Sequence, residues 1–316
     1  MSTPAARVAC IGECMREVVD LGDGNARIGF GGDTLNTALY LSRQGVAVDY
    51  HTALGDDDAS GAMCAAWREE GIGTDWVERV QGATPGLYVV RRDANGERSF
   101  QFWRDGSPAR RLCELPGWPQ RARALGGYDW LYFSAITLSI LGARGRGLLL
   151  DAVAAARAAG VRIAFDSNYR PRAWPDADTA RTAVTAALAH VDLALPTFDD
   201  EQALFGDAVP GDTAARLRAL GVPQAAIKLG GDGCLLLDGD DERQVPAPPV
   251  AEVRDTTAAG DAFNAGYLAG LLAGECARAA ALRGHRLAGV VIRHPGAIAP
   301  RSAMPAASPP RTADAA

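Results

Sequence analysis

The run Asp255-Thr256-Thr257-Ala258-Ala259-Gly260-Asp261-Ala262-Phe263 carries the chemistry most plainly written in this chain. It follows an apolar, β-like segment at residues 249–253 and opens an Ala/Leu/Gly-rich helical pattern over 263–272. Small residues at 258–260 let a phosphate approach the backbone. The first-turn amides of a helix lack intrahelical partners, and the helix dipole adds partial positive charge there. The carboxylate of Asp261 sits in the same turn. An anion cradle with an acid or base inside it suits phosphoryl transfer. A structural helix with an incidental aspartate would read the same way.

A second stretch, Gly29-Phe30-Gly31-Gly32-Asp33-Thr34-Leu35-Asn36-Thr37-Ala38, also runs from a glycine turn into a helix. Its paired glycines allow close backbone approach, and Asp33 and Asn36 offer polar groups at the helix start. Further polar residues collect after predicted strands: Asp166, Asn168 and Arg170; then Thr197, Asp200 and Glu201; then Lys228 and the turn Gly230-Gly231-Asp232-Gly233. In open α/β sheets ligands bind beyond the carboxyl ends of the strands, where all these groups fall. No Gly-x-x-x-x-Gly-Lys-Ser/Thr loop is present, so a Walker-type cradle is excluded.

The elements that must position these groups follow from apolar patterning. Strands are predicted at 8–11, 48–53, 130–134, 162–166, 193–195 and 225–229, and helices at 35–43, 59–70, 145–159, 179–189 and 213–220. This alternation predicts an α/β fold with a central, mostly parallel sheet flanked by helices. Residues 86–92 and 97–104 break the pattern as two ribbons joined through Asn95-Gly96, a hairpin signal. They predict a small β-sheet lid, from about 14–32 and 84–106, projecting from a single domain over 1–300. Residues 301–316, rich in Pro, Ala and Ser, are expected to be a disordered tail.

At 316 residues and 48% hydrophobic content the chain can bury a sizeable core. A net charge of −6 argues against nucleic acid or a membrane surface as partner. The six cysteines lack metal-finger spacing, the four histidines are scattered, and no apolar run reaches a membrane span, so a cytoplasmic protein with free thiols is expected.

The Gly31-Gly32…Asn36-x-Ala38 and Asp255-Thr256-x-x-Ala259-Gly260-Asp261 segments resemble, in order and separation, the two signatures of the ribokinase-like (PfkB-type) carbohydrate kinases. The resemblance covers about residues 6–300 and implies ATP and Mg²⁺ as co-substrate and activator. It makes Asp261 the catalytic base, with the amides of Ala258, Ala259, Gly260 and Asp261 holding the transferred phosphate. A glycine is common in the family where Ala258 stands. The helix N-terminus is expected to lower the pKa of Asp261. Asn168, Thr197, Lys228, Gly230, Gly231, Gly233, Gly260 and His285 fall where the family binds ATP, although Lys228 could also be a surface lysine. Asp200 falls where a carboxylate meets magnesium through water. The lid implies a homo-oligomer.

Arginine's planar fork suits carboxylates. Arg170 follows a predicted strand and Arg104 ends the second lid ribbon, so a folded lid lets both meet one anionic group that a neutral sugar would lack. Gly12-Glu13-Cys14-Met15, Asn168-Tyr169-Arg170-Pro171 and Phe198-Asp199-Asp200-Glu201 are similar to the 2-keto-3-deoxygluconate kinases of the family. That resemblance implies a sugar-acid substrate held by Gly32, Asp33, Asn36, Tyr88, Phe102, Arg104 and Arg170. A kinase of fructose, ribose or a nucleoside is the nearer alternative. A dinucleotide-dependent oxidoreductase would need Gly-x-Gly-x-x-Gly after the first strand, which Ile11-Gly12-Glu13-Cys14-Met15 does not supply.

Overall fold

The computed structural model describes residues 6–22, 24–92 and 98–305. Chain order begins with β1 (Arg7–Ile11), β2 (Met15–Gly22), β3 (Asn25–Gly31), α1 (Asp33–Arg43), β4 (Ala47–Gly55) and α2 (Asp58–Glu69). Next come β5 (Ile72–Gly73), β6 (Val77–Val80), β7 (Leu87–Arg92), β8 (Arg98–Trp103), α3 (Trp118–Ala124), β9 (Trp130–Ser134), α4 (Ala135–Ile140) and α5 (Gly142–Ala158). The second half runs β10 (Arg162–Asp166), α6 (Ala177–Leu188), β11 (Leu193–Ala194), α7 (Phe198–Phe205), α8 (Pro210–Ala219), β12 (Gln224–Lys228), β13 (Cys234–Asp238), β14 (Asp241–Val245), α9 (Ala259–Leu272) and α10 (Ala277–Val291).

Among the described residues the main sheet has the order β14-β13-β12-β11-β10-β9-β1-β4-β5, with β6 also on β4. It is parallel from β12 to β5 and antiparallel only at β12-β13-β14. Parallel strands buried on both faces read as continuous apolar runs. Strand β9 shows why: Leu131 and Phe133 enter one core, Trp130 and Tyr132 the other. The first core packs α3 to α8, and the second packs α1, α2, α9 and α10, giving three layers.

A second sheet, β3-β2-β7-β8, stands apart as the lid, with β7 antiparallel to β8. The Asn95-Gly96 turn lies outside the described residues. Of the expected tail, Arg301–Ala303 form one 3₁₀ turn, and 306–316 lie outside the described residues.

The β-like segment expected at 249–253 is not a strand. The sheet already ends at β14, and Val253 is exposed. Apolar β-formers without a neighbouring strand have no ladder to join. The helix after them starts at Ala259, not at 263.

Candidate active site

Helix α9 is almost wholly buried, and Asp261 lies in its first turn, packed against α1. The two helix starts meet through one bond: Asn36 Nδ2 donates to Asp261 Oδ2 at 2.8 Å. Asn36 therefore aims the aspartate. Asp33, at the start of α1, accepts from Asn168 Nδ2 at 2.9 Å. Asn168, expected among the ATP-binding residues, thus stands beside Asp33.

Burial pushes Asp261 up to about 8, with the neighbouring Asp33 charge adding to it and the Asn36 hydrogen bond opposing it. The expected lowering by the helix dipole loses: desolvating a carboxylate outweighs a partial charge at a helix end. Burial raises Asp33 too, against hydrogen bonds from Ser134 and Asn168.

Lys228 is neither a surface lysine nor simply a phosphate contact. It is buried, and its Nζ donates to Asp166 Oδ2 at 2.8 Å and Asn264 Oδ1 at 3.0 Å. Asn264 Nδ2 in turn donates to the same Asp166 oxygen at 2.6 Å and to the Tyr132 hydroxyl at 3.1 Å. This network ties the ends of β9, β10 and β12 to α9 one turn beyond Asp261. Asn264 is absent from the sequence reading. Its signal was a lone amide three residues after Asp261 in an otherwise apolar helix, the spacing that shares a face.

On one side of this network a cavity of about 680 Å³ is lined by Thr197, Lys228, Gly230, Gly231 and Gln244 among others. Gly233 shapes its turn: φ is +103°, and a Cβ there would strike the Val245 carbonyl. His285 does not line it. The ring packs on Phe263 at 4.9 Å within the α9–α10 contact. Asp200 lies nearby in α7 but is held by Arg170 Nη1 at 3.0 Å.

On the other side, beneath the lid, a cavity of about 730 Å³ is lined by Glu13, Gly32, Asp33, Phe102, Arg104, Arg110, Arg170 and Arg172 among others. Gly32 allows the close approach, since a Cβ there would meet the Glu13 carbonyl. Phe102 faces this cavity. Tyr88, expected as its pair, packs behind with its hydroxyl donating to Glu17 Oε1 at 2.8 Å. Arg104 is in an ion pair with buried Glu13, and Arg170 is paired with Asp200. The expectation that only an anionic substrate would satisfy these two arginines does not hold, because protein carboxylates already do. Glu13 was quoted in sequence only as part of a motif; its place straight after apolar β1 was the available signal.

Ala258 has φ +61°, the only positive φ of a non-glycine residue among the described residues. It turns the chain into α9, and the Ala262 amide donates back to its carbonyl at 2.9 Å.

The fold is that of the ribokinase-like kinases. It superposes on the aminoimidazole riboside kinase of Salmonella enterica, solved with aminoimidazole riboside and an ATP analogue, with a TM-score of 0.80 at 24% identity, covering 95% of this chain and 97% of that one. The pfkB family carbohydrate kinase profile matches residues 5–304. The chain is 44% identical over 306 residues to the 2-dehydro-3-deoxygluconokinase of Dickeya dadantii (strain 3937), covering 95% of this chain and 98% of that protein. It is 42% identical over 307 residues to the protein of that name from Escherichia coli (strain K12), covering 95% and 99%. This chain belongs to the pfkB family of carbohydrate kinases.

Proposed function

We propose that the protein transfers the γ-phosphoryl group of ATP to the primary hydroxyl of 2-keto-3-deoxygluconate, giving 2-keto-3-deoxy-6-phosphogluconate and ADP. The observation that carries this reading is that the Asp261 carboxylate feels the charges of both Asp33, on the wall of the arginine-lined cavity, and Lys228, on the wall of the cavity with the glycine turn. The near full-length likeness to proteins named 2-dehydro-3-deoxygluconokinase supports the substrate.

The sugar acid occupies the lid-side cavity, over Gly32 and against Phe102. ATP lies along Gly230 and Gly231, with Thr197 and the Lys228 edge toward its phosphates. The sugar hydroxyl gives its proton to Asp261, its oxygen bonds the γ-phosphorus, and the bond to the β-phosphate oxygen breaks. Such transfers pass through a loose transition state, so positioning and charge stabilisation dominate over base strength. The amides of Ala258, Gly260 and Asp261 supply that stabilisation. The Ala259 amide contributes less, since it already donates to the Thr256 carbonyl at 3.2 Å.

Among the described residues no group of three or more His, Cys, Asp or Glu could hold a metal ion. Magnesium, which neutralises phosphate charge, would be carried by the nucleotide's phosphates and its own waters. With its carboxylate on Arg170, Asp200 would reach the ion only through water. On the lid, Leu21, Ile28 and Trp103 are exposed apolar side chains that a second copy of the chain would cover.

The test is ADP release with Mg·ATP and a panel of 2-keto-3-deoxygluconate, 2-keto-3-deoxygalactonate, fructose, ribose and adenosine. Turnover confined to the keto-deoxy acids supports the reading. Turnover only on a neutral sugar would retain the kinase and reject the substrate, an outcome that the internal pairing of Arg104 and Arg170 makes worth testing.

A further inference from the structure

Four arginines line the lid-side cavity, and they are not equivalent. Arg104 is committed to Glu13, whose carboxylate is only 1% exposed. Arg170 is committed to Asp200 through two contacts of 3.0 and 3.2 Å. A neutralised pair offers hydrogen bonds but little net charge. Drawing Arg104 away would also strand a buried carboxylate, which is strongly unfavourable. Arg110 and Arg172 differ: among the described residues neither guanidinium group makes a hydrogen bond or ion pair, the Arg110 bond to the Ser107 carbonyl being made by its backbone amide. Asp105 on the same wall pairs with neither.

We propose that Arg110 and Arg172 are specificity-determining residues that select a carboxylate-bearing sugar over a neutral one, which deepens the sugar-acid reading above and rests on it. Their backbones are held in place. Arg110 sits in the 3₁₀ helix Pro108–Glu114, anchored by buried Pro108, Ala109, Leu112 and Cys113. Arg172 lies in the 3₁₀ turn Pro171–Ala173, between buried Tyr169 and Trp174. Two arginines with unpaired guanidinium groups, from separate segments, thus line one cavity. A carboxylate there meets charge-assisted, bidentate donors that need not abandon a protein partner first. Arg104 and Arg170, already compensated, orient hydroxyl and keto groups.

The test compares wild type with Arg110→Met, Arg172→Met, the double variant and Arg110→Lys. Each is assayed on 2-keto-3-deoxygluconate and on its neutral analogue with hydroxymethyl in place of the carboxylate. Each Met variant should raise KM for the acid roughly 10–100-fold, the loss of a charge-assisted contact, with kcat and the KM for ATP within about threefold. KM for the neutral analogue should stay put, and Arg110→Lys should recover part of the loss. Unchanged preference for the acid in folded Met variants, judged by thermal melting, overturns the inference alone. Equal losses on acid and neutral analogue also overturn it, because they mark a structural role. A wild-type enzyme that turns over only neutral sugars overturns the substrate reading and this inference together.

Discussion

The two cavities flanking the Lys228–Asp166–Asn264 network are made of different material. The cavity proposed for the nucleotide gathers around a glycine turn, Gly230 and Gly231 with Gly233 behind them at φ +103°, and its charged walls carry both signs, Lys228 against Asp199 and Asp232. The lid side is made of side chains from distant segments, with Phe102 and Arg104 from the second lid ribbon, Arg110 beyond it, and Arg170 and Arg172 after β10. A glycine turn fixes shape through backbone and adds no charge of its own, which suits a co-substrate shared across a family. An arginine surface fixes charge and can change one residue at a time, which suits a substrate that differs between relatives. Sensitivity to a methyl group should therefore mark the first side, and sensitivity to charge the second.

Asp261 belongs to neither cavity wall, and changing it gives the largest effect. Asp261→Asn should lower kcat by about 10³-fold or more and leave both KM values within a few-fold. Near-normal ADP release would remove Asp261 as the base. The same substitution should stabilise the fold. The folded-state pKa is raised from 3.8 to about 8, so between those values the unfolded chain releases a proton that the folded one keeps. Stability of the wild type then falls as pH rises through that window. The gain from Asn should be small near pH 4 and reach ~2 °C or more by pH 8 in thermal melts. A gain that does not grow with pH would show that burial is not what shifts this group. The wild-type kcat/KM should rise with pH toward the same region.

A matched pair of methyl insertions separates the cavities. Gly32→Ala drives a Cβ into the Glu13 carbonyl and should raise sugar KM about tenfold while sparing ATP, as expected from a close-packed contact. Gly233→Ala meets the Val245 carbonyl at a φ of +103° and should raise ATP KM. It should also cost about 1–3 kcal/mol of stability by denaturant titration, from overpacking and backbone strain. If each variant weakens both substrates equally, the two sides are not independent and the comparison fails.

The same division governs what was legible in sequence. The sheet was readable because strands such as Trp130–Ser134 and Arg162–Asp166 are buried on both faces and so stand out as apolar runs. The glycine turns and the two helix starts were readable because their chemistry is local. What failed was long-range. Lys228 read as a surface tip because its partners Asp166 and Asn264 lie 62 and 36 residues away. Arg104 and Arg170 read as free because Glu13 and Asp200 had no visible connection to them. Asp261 read as a weakened base because a helix dipole is local, whereas burial under α1 and beside Asp33 is not.

The smallest expected effect concerns a backbone that the sequence misfits. Ala258 holds φ +61°, a conformation in which a Cβ costs roughly 1–2 kcal/mol. The turn persists because Ala262 bonds back to its carbonyl and because α9 is fixed by burial along nearly its whole length. Ala258→Gly removes the clash but gives the unfolded chain more freedom. The net should be a stabilisation of about 0.5–1 kcal/mol, read as a Tm rise of ~1–3 °C. The cradle is already formed in the wild type, so kcat should stay within about threefold. A fall in kcat with a raised Tm would mean that alanine earns its place by holding the phosphate-binding turn rigid, and that the nucleotide side depends on stiffness as well as on shape.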